Sequence, residues 1–215
     1  MKDIAIFGAG GFGREVACLI KRINEKEPTW NFIGFFDDNE ALKGQPISHF
    51  GSCIGNMADL NKWDTPLDVC IAVGNGTIVE KIVDQIKNKN VAFPNIIAPT
   101  VTFADEEGLT MGIGNIIQSG SSLSTDVSIG DFNVMNGDVV LGHDDKVGNY
   151  NTFMPGVRIS GEVTIGNNNF FGVMSIVLQQ LKIKNNTKLA AGSVLMTKPK
   201  EGLLYMGVPA KKTEF

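Results

Sequence analysis

The sequence predicts a chain in two parts, a Rossmann-like α/β domain followed by a parallel β-helix, and three observations carry that reading. From Met111 every sixth residue is apolar: Ile117, Leu123, Ile129, Met135, Leu141, Val147, Phe153, Ile159, Ile165, Phe171, Val177, Ile183, Leu189 and Leu195. Only 43% of the chain is hydrophobic, so an unbroken run of this kind reflects structure rather than composition. Asn115, Asn133, Asn151 and Asn169 recur every 18 residues, three times that period. Upstream, short apolar runs alternate with helical stretches, the pattern of a small parallel sheet.

Taken in order, Asp3–Gly8 reads as a buried strand and Gly8 to Gly13 as a glycine-rich turn. A helix from Arg14 to Asn24 follows, with Val16, Leu19, Ile20 and Ile23 on one face. Trp30–Phe36 is a second strand ending in Asp37 and Asp38, and Asn39–Phe50 reads as a loop. Leu67–Val73 is a third strand, broken by Gly74-Asn75-Gly76. Thr77 is placed to cap the next helix, in which Ile78, Val79, Ile82, Val83 and Ile86 share a face. A short strand at Val91–Phe93 closes a first domain of residues 1–93, and residues 94–215 form the second, with a C-terminal tail.

A period of six fits neither a helix nor a simple strand. It fits a coil in which one short strand and one corner repeat, with the apolar residue inside. Glycine often follows that residue, at Gly112, Gly130, Gly142, Gly148, Gly166 and Gly172, and is expected to permit the turn. Three units make a triangular coil of 18 residues, so the spaced asparagines should stack at one edge.

Composition narrows the function. A net charge of −4 argues against nucleic acid as a partner. No apolar run approaches membrane-spanning length and nothing resembles a signal peptide, so a cytoplasmic protein with no membrane partner is expected. Cys18, Cys53 and Cys70 are odd in number and form no CxxC, in keeping with a reduced compartment. The only histidines are His49 and His143, and no His/Cys cluster has ligand spacing, so no metal is predicted.

Two stretches carry chemistry. Gly8, Gly10 and Gly13 satisfy G-x-G-x-x-G between a strand and a helix, where a phosphate can approach unpaired backbone N–H groups. On the residues alone, a dinucleotide site and a simple tight turn both remain open. His143, the one histidine in the repeats, is followed by Asp144, and this pair suits a general base with a carboxylate partner. Asp145 interrupts a column otherwise filled by Val127, Val163 and Leu181.

The segments GAGGFGREV, GFFDD, AVGN, LGHDDKVG and GVPAK, in this order, resemble the hexapeptide-repeat sugar O-/N-acyltransferases of the sialic-acid O-acetyltransferase and bacillosamine N-acetyltransferase type. The resemblance implies a left-handed β-helix, although crossovers between parallel strands are otherwise right-handed. It implies an acetyl-CoA-dependent acetyltransferase that acts on an amine or hydroxyl of a sugar or nucleotide-linked sugar, for surface polysaccharide or glycan synthesis. It implies a homotrimer with the active site between subunits. In this reading His143 is the base and Asp144 its partner. Thr152, Gly161, Val173 and Ala191 contact acetyl-CoA, and the Gly161 N–H faces the thioester oxyanion. Gly10, Gly11, Phe12, Asp37, Asp38 and Gly74 line the acceptor site of the first domain. Phe12 stands where many relatives carry histidine, and Thr152 where some do. Lys188, Lys198, Lys211 and Lys212 are candidates for the CoA phosphates. Two rival functions stay open: a non-catalytic nucleotide-sugar-binding module, and an acyltransferase for a non-sugar acceptor.

Overall fold

The computed structural model describes residues 1–213 and divides the chain into two compact units, residues 1–74 with 78–99 and residues 75–77 with 100–215. Residues 94–99 therefore group with the first unit, six residues beyond the boundary the sequence suggests.

The N-terminal elements are β1 (Lys2–Phe7), α1 (Gly11–Lys26), β2 (Trp30–Phe36), β3 (Cys53–Gly55), α2 (Met57–Asn61), β4 (Leu67–Ile71), α3 (Gly76–Gln85) and β5 (Val91–Ala92). Their strands form one parallel sheet in the order β3-β2-β1-β4-β5. The central strand β1 reads as a continuous apolar run because it is covered on both sides, and Ile4, Ala5 and Ile6 are fully buried. Helix α1 buries Val16, Ala17, Leu19 and Ile20. It starts at Gly11, three residues before the expected Arg14, because the last glycines of the turn already take part in its first turn. Thr77 lies within the first turn of α3 instead of capping it. Strand β3 and helix α2 lie in a stretch that the sequence reading left without elements. Helix α2 is set by a capping box in which Asn56 accepts from the Asp59 N–H and Asp59 accepts from the Asn56 N–H.

The second unit is a parallel β-helix. Between Thr110 and Leu195 paired strands lie 18 residues apart, as Val134 with Thr152, Thr152 with Phe170 and Phe170 with Lys188. The first face carries Ser122–Leu123, Val140–Leu141, Arg158–Ile159 and Ile176–Val177. The second carries Ser128–Ile129, Lys146–Val147, Thr164–Ile165 and Lys182–Ile183. The third carries Ile116–Ile117, Val134–Met135, Thr152–Phe153, Phe170–Phe171 and Lys188–Leu189, and is extended by Leu204–Met206 and Lys211–Lys212. The period-six residues point inward; Phe153 and Phe171, for example, stack with ring centroids 4.8 Å apart.

The asparagine ladder forms as expected and is fully buried. Asn115 Oδ1 accepts the backbone and side-chain N–H of Asn133 at 2.9 and 3.1 Å. Asn133 repeats this with Asn151, and Asn151 with Asn169, before the Thr187 N–H ends the row at 2.8 Å. A second ladder runs beside it through Asp131, Asn149, Asn167 and Asn185, each accepting a backbone N–H from the coil before.

The role expected of the repeat glycines is corrected. The corners are turned by residues three places after the inward one: every sixth residue from Gly114 to Gly192 has a φ between 53° and 78°. Most of these are not glycine, and Asp126, Asp138, Asp144, Asn168 and Asn186 exploit the tolerance of Asp and Asn for this region. The glycines directly after the inward residue serve clearance instead. A Cβ on Gly130 or Gly148 would overlap the Asn149 or Asn167 amide and the glycine of the next coil. Glycine is needed there because the coils stack closely, not because the chain turns.

Candidate active site

His143 and Asp144 occupy the corner between the first and second faces, above Gly161 and Glu162 and below Thr125 and Asp126. The corner is pinned on both sides. The Asp144 N–H donates to the Thr125 carbonyl at 3.0 Å, and the His143 carbonyl accepts from the Glu162 N–H at 2.8 Å. His143 Nδ1 lies 2.8 Å from Asp144 Oδ2, and both side chains are 56% exposed. Because the carboxylate can only accept, this bond places the proton on Nδ1 and leaves the Nε2 lone pair as the basic site.

Nε2 faces Gly161. A Cβ at Gly161 would overlap the imidazole at Nε2, Cδ2 and Cε1, so glycine is what lets the ring lie there. The Gly161 N–H has no acceptor among the described residues. Bond donation to Asp144 is the main reason the His143 pKa is raised above 6.5; the charges of Asp144, Glu162 and Asp145 add to it, and desolvation opposes it. Beside the pair lies a polar depression of about 330 Å³ lined by Asp144, Lys146, Glu162 and Thr164. An apolar cavity of about 390 Å³ in the first unit, lined by Ala17, Ile20, Phe32 and Phe50 among others, contains none of the expected site residues.

The structure brings Gly161 to His143 but not the other three donor-site residues. Val173 and Ala191 occupy the corner between the third and first faces, where Gly172 packs on the Ala191 backbone and the Val173 carbonyl accepts the Gly192 N–H. Thr152 lies on the third face, opposite the His143 corner, and is buried. In an enzyme that uses His143 as its base, Gly161→Ala is expected to lower turnover by about tenfold to a hundredfold, because the new methyl displaces the imidazole and misplacements near 1 Å have effects of that order. Its φ lies outside the left-handed region, so the thermal midpoint should stay near the wild type. Steady-state rates beside a melting curve check this.

In the first unit, β1 runs parallel to both β2 and β4, so the residues after Phe7, Phe36 and Ile71 share one edge of the sheet. That edge gathers Gly10, Gly11, Phe12, Asp37, Asp38 and Gly74. The motif glycines divide by role. Gly8 has a φ of 110°, and a Cβ there would meet the Ala72 carbonyl at 2.7 Å; a Cβ on Gly13 would overlap the Gly8 carbonyl. Gly10, Gly11 and Gly74 have nothing within 4 Å of an added Cβ and face open space. Gly10 is the N-cap of α1 and supplies no side chain, so the first-turn N–H groups point outward uncapped. Asp37 holds the edge together, accepting from the Ala9 N–H at 2.8 Å and the Asn39 N–H at 2.9 Å. Asp38 accepts from the Met57 N–H at 2.9 Å. Among the described residues, no group of three or more His, Cys, Asp or Glu side chains could hold a metal ion, and no helix is long and apolar enough to cross a membrane.

Residues 3–86 match the family described as the PglD N-terminal domain. No curated protein matches the chain by sequence. Solved structures match it over nearly its whole length. The acetyltransferase domain of PglB from Neisseria gonorrhoeae is 23% identical with a TM-score of 0.87, covering 99% of this chain and 100% of that one. WeeI from Acinetobacter baumannii is 24% identical with a TM-score of 0.87, covering 99% and 100%. PerB from Caulobacter crescentus, solved in complex with CoA and GDP-perosamine, is 22% identical with a TM-score of 0.83, covering 100% and 98%. The likeness establishes the fold: a Rossmann-like unit followed by a left-handed parallel β-helix.

Proposed function

We propose that this protein is an acetyl-CoA-dependent acetyltransferase that acylates an amine or hydroxyl of a sugar or nucleotide-linked sugar, in surface polysaccharide or glycan synthesis, with His143 as general base. The observation that carries this reading is the His143–Asp144 pair, whose proton-free Nε2 is held against Gly161. The family match of residues 3–86 supports it, as does the whole-length likeness to PglB, solved with acetyl coenzyme A, and to PerB, solved with CoA and GDP-perosamine.

In this reading Nε2 takes the acceptor's proton as its nitrogen or oxygen bonds to the thioester carbonyl carbon. The Gly161 N–H, which has no acceptor among the described residues, meets the charge that develops on the carbonyl oxygen. The C–S bond then breaks, and His143 returns its proton to the departing thiolate. Asp144 keeps the imidazole in the right tautomer and steadies its charged form. The open edge at Gly10, Gly11, Phe12, Asp37, Asp38 and Gly74 takes the acceptor. Thr152, Val173 and Ala191 take the donor together with Gly161. In one chain those three lie away from His143, so a donor spanning them needs a second copy, in keeping with a homotrimer. Val173 and Met174, 40% and 63% exposed at their corner, offer an apolar surface for that contact. The setting is cytoplasmic.

The test is thiol release from acetyl-CoA against a panel of UDP- and GDP-linked amino sugars, their hydroxyl counterparts and free sugars. Release driven by one acceptor class supports the reading and separates amine from hydroxyl. A protein that neither binds acetyl-CoA nor releases thiol with any acceptor overturns it.

A further inference from the structure

From Gly112 to Leu178 the N–H following each inward residue, with one exception, donates to a carbonyl of the next coil. Gly130 donates to Val147, Asn136 to Phe153, Gly148 to Ile165, Met154 to Phe171 and Ser160 to Val177, at 2.8–2.9 Å. Gly142, directly before His143, departs from this pattern. Its N–H donates at 2.8 Å to Oδ2 of Asp145, three residues later in the same coil. The other carboxylate oxygen, Oδ1, accepts the Val163 N–H of the next coil at 2.9 Å. One fully buried carboxylate thus grips the backbone just before His143 and, on the coil below, two residues after Gly161.

We propose that Asp145 is a positioning residue for the acyl transfer, a clamp that takes the His143 corner out of the regular ladder and fixes the imidazole in register with the Gly161 amide. The inference rests on the enzymatic reading above. Its neighbours in the column, Val127 and Val163, are fully buried and apolar, so a valine would suit the core at this position. Burial instead raises the Asp145 carboxyl to about 7, which makes an ionised group there unfavourable for folding alone. The fold also manages elsewhere without such a clamp. One coil before Asp145 and Leu181 the column holds Val127 and Val163, whose side chains cannot accept, and the N–H groups of Asp145 and Leu181 have no acceptor among the described residues. A core that would accept valine but holds a carboxylate beside the base points to the geometry of that base.

The test compares Asp145→Val, Asp145→Asn and the wild type in the thiol-release assay and in thermal denaturation. With the clamp as proposed, Asp145→Val folds with a thermal midpoint near the wild type, because relief of the buried carboxylate offsets the lost acceptor of the Val163 N–H. Its kcat falls about tenfold to a hundredfold, while KM for acetyl-CoA stays within about twofold. Asp145→Asn keeps an acceptor for only one of the two N–H groups and should fall between them. A carboxylate that is merely structural predicts the reverse, a lowered midpoint with kcat per folded molecule unchanged, and that result overturns the proposal. Should the valine variant not fold, Asp145→Asn decides, since asparagine already fills the corresponding place in the ladder at Asn133 and Asn151; wild-type kcat in that variant overturns the clamp. Wild-type protein without turnover on any acceptor overturns the enzymatic reading and this inference with it. Turnover matched by both variants overturns this inference alone.

Discussion

His143→Ala is expected to lower kcat by about 10²- to 10⁴-fold, the usual contribution of a positioned general base, with KM for acetyl-CoA little changed. The imidazole supplies a nitrogen lone pair to its corner. Its neighbours there are Asp144, Glu162, Lys146 and Thr164. The pH profile carries a second expectation. Transfer needs neutral imidazole, so activity falls as pH drops through the pKa of His143. Donation to Asp144 is the largest cause of that pKa's rise above 6.5, and it favours the imidazolium. Removing it in Asp144→Asn therefore lowers the pKa and moves the acidic limb of the kcat profile to lower pH. The limb does not shift the whole way, because Glu162 and Asp145 still favour the cation. Turnover on the plateau also drops, since the imidazole loses the partner that selects its tautomer. Rates from pH 5 to 9 with one acceptor test both parts. An acidic limb unmoved in Asp144→Asn would assign it to another group, and His143→Ala with wild-type kcat would remove His143 from the mechanism.

The β-helix was legible in the sequence because its physics is periodic: one inward residue per six leaves a signature that composition cannot imitate. The buried asparagine ladder was legible for the same reason. The second ladder carries an equal signal, with Asp131, Asn149, Asn167 and Asn185 also spaced by 18, but it begins on an aspartate and so escapes a count of identical residues. The glycines misled in a specific way. Glycine suggests positive φ, yet here the positive φ falls two residues later, often on Asp or Asn, while Gly130 and Gly148 answer to the neighbouring coil. Contact between residues 18 apart is not visible in local sequence. Asp145 shows the same limit: its place in a valine column marked it as exceptional, but only the coordinates show that it bonds Gly142 and Val163 at once. In the first unit the motif glycines could not be sorted by sequence, since Gly8 and Gly13 are fixed by packing and Gly10 and Gly11 are not. Strand β3 was missed because three residues are too few to show alternation. Helix α2 was missed despite the N-x-x-D pattern of its capping box.

Asn151→Ala is expected to be the most destabilising single substitution in the β-helix. The side chain is fully buried and makes bonds in three directions. Its amide donates to Asn133 Oδ1 at 3.0 Å and to the Gly166 carbonyl at 2.9 Å, and its oxygen accepts both N–H groups of Asn169 at 2.9 and 3.0 Å. Alanine leaves the Gly166 carbonyl and the Asn169 N–H buried without partners, at about 1–3 kcal/mol for each such group, and opens a small void. A loss of about 3–5 kcal/mol follows, which in a chain of this size lowers the thermal midpoint by on the order of 10 °C. Aspartate at the same place should do no better, because its second oxygen would face the Gly166 carbonyl where the amide now donates. Asn149→Ala, two residues away on the outer ladder, provides the contrast. Asn149 Oδ1 accepts only the half-buried Asp131 N–H, at 2.8 Å, and water can reach that corner, so the expected loss is about 1 kcal/mol. Thermal and urea denaturation of the two alanine variants separates the ladders. Equal losses would mean that the buried row is held by its backbone pairing alone, whereas a several-fold difference would place the vertical cohesion of the coils in the inward amides, each of which satisfies the coil on either side of it.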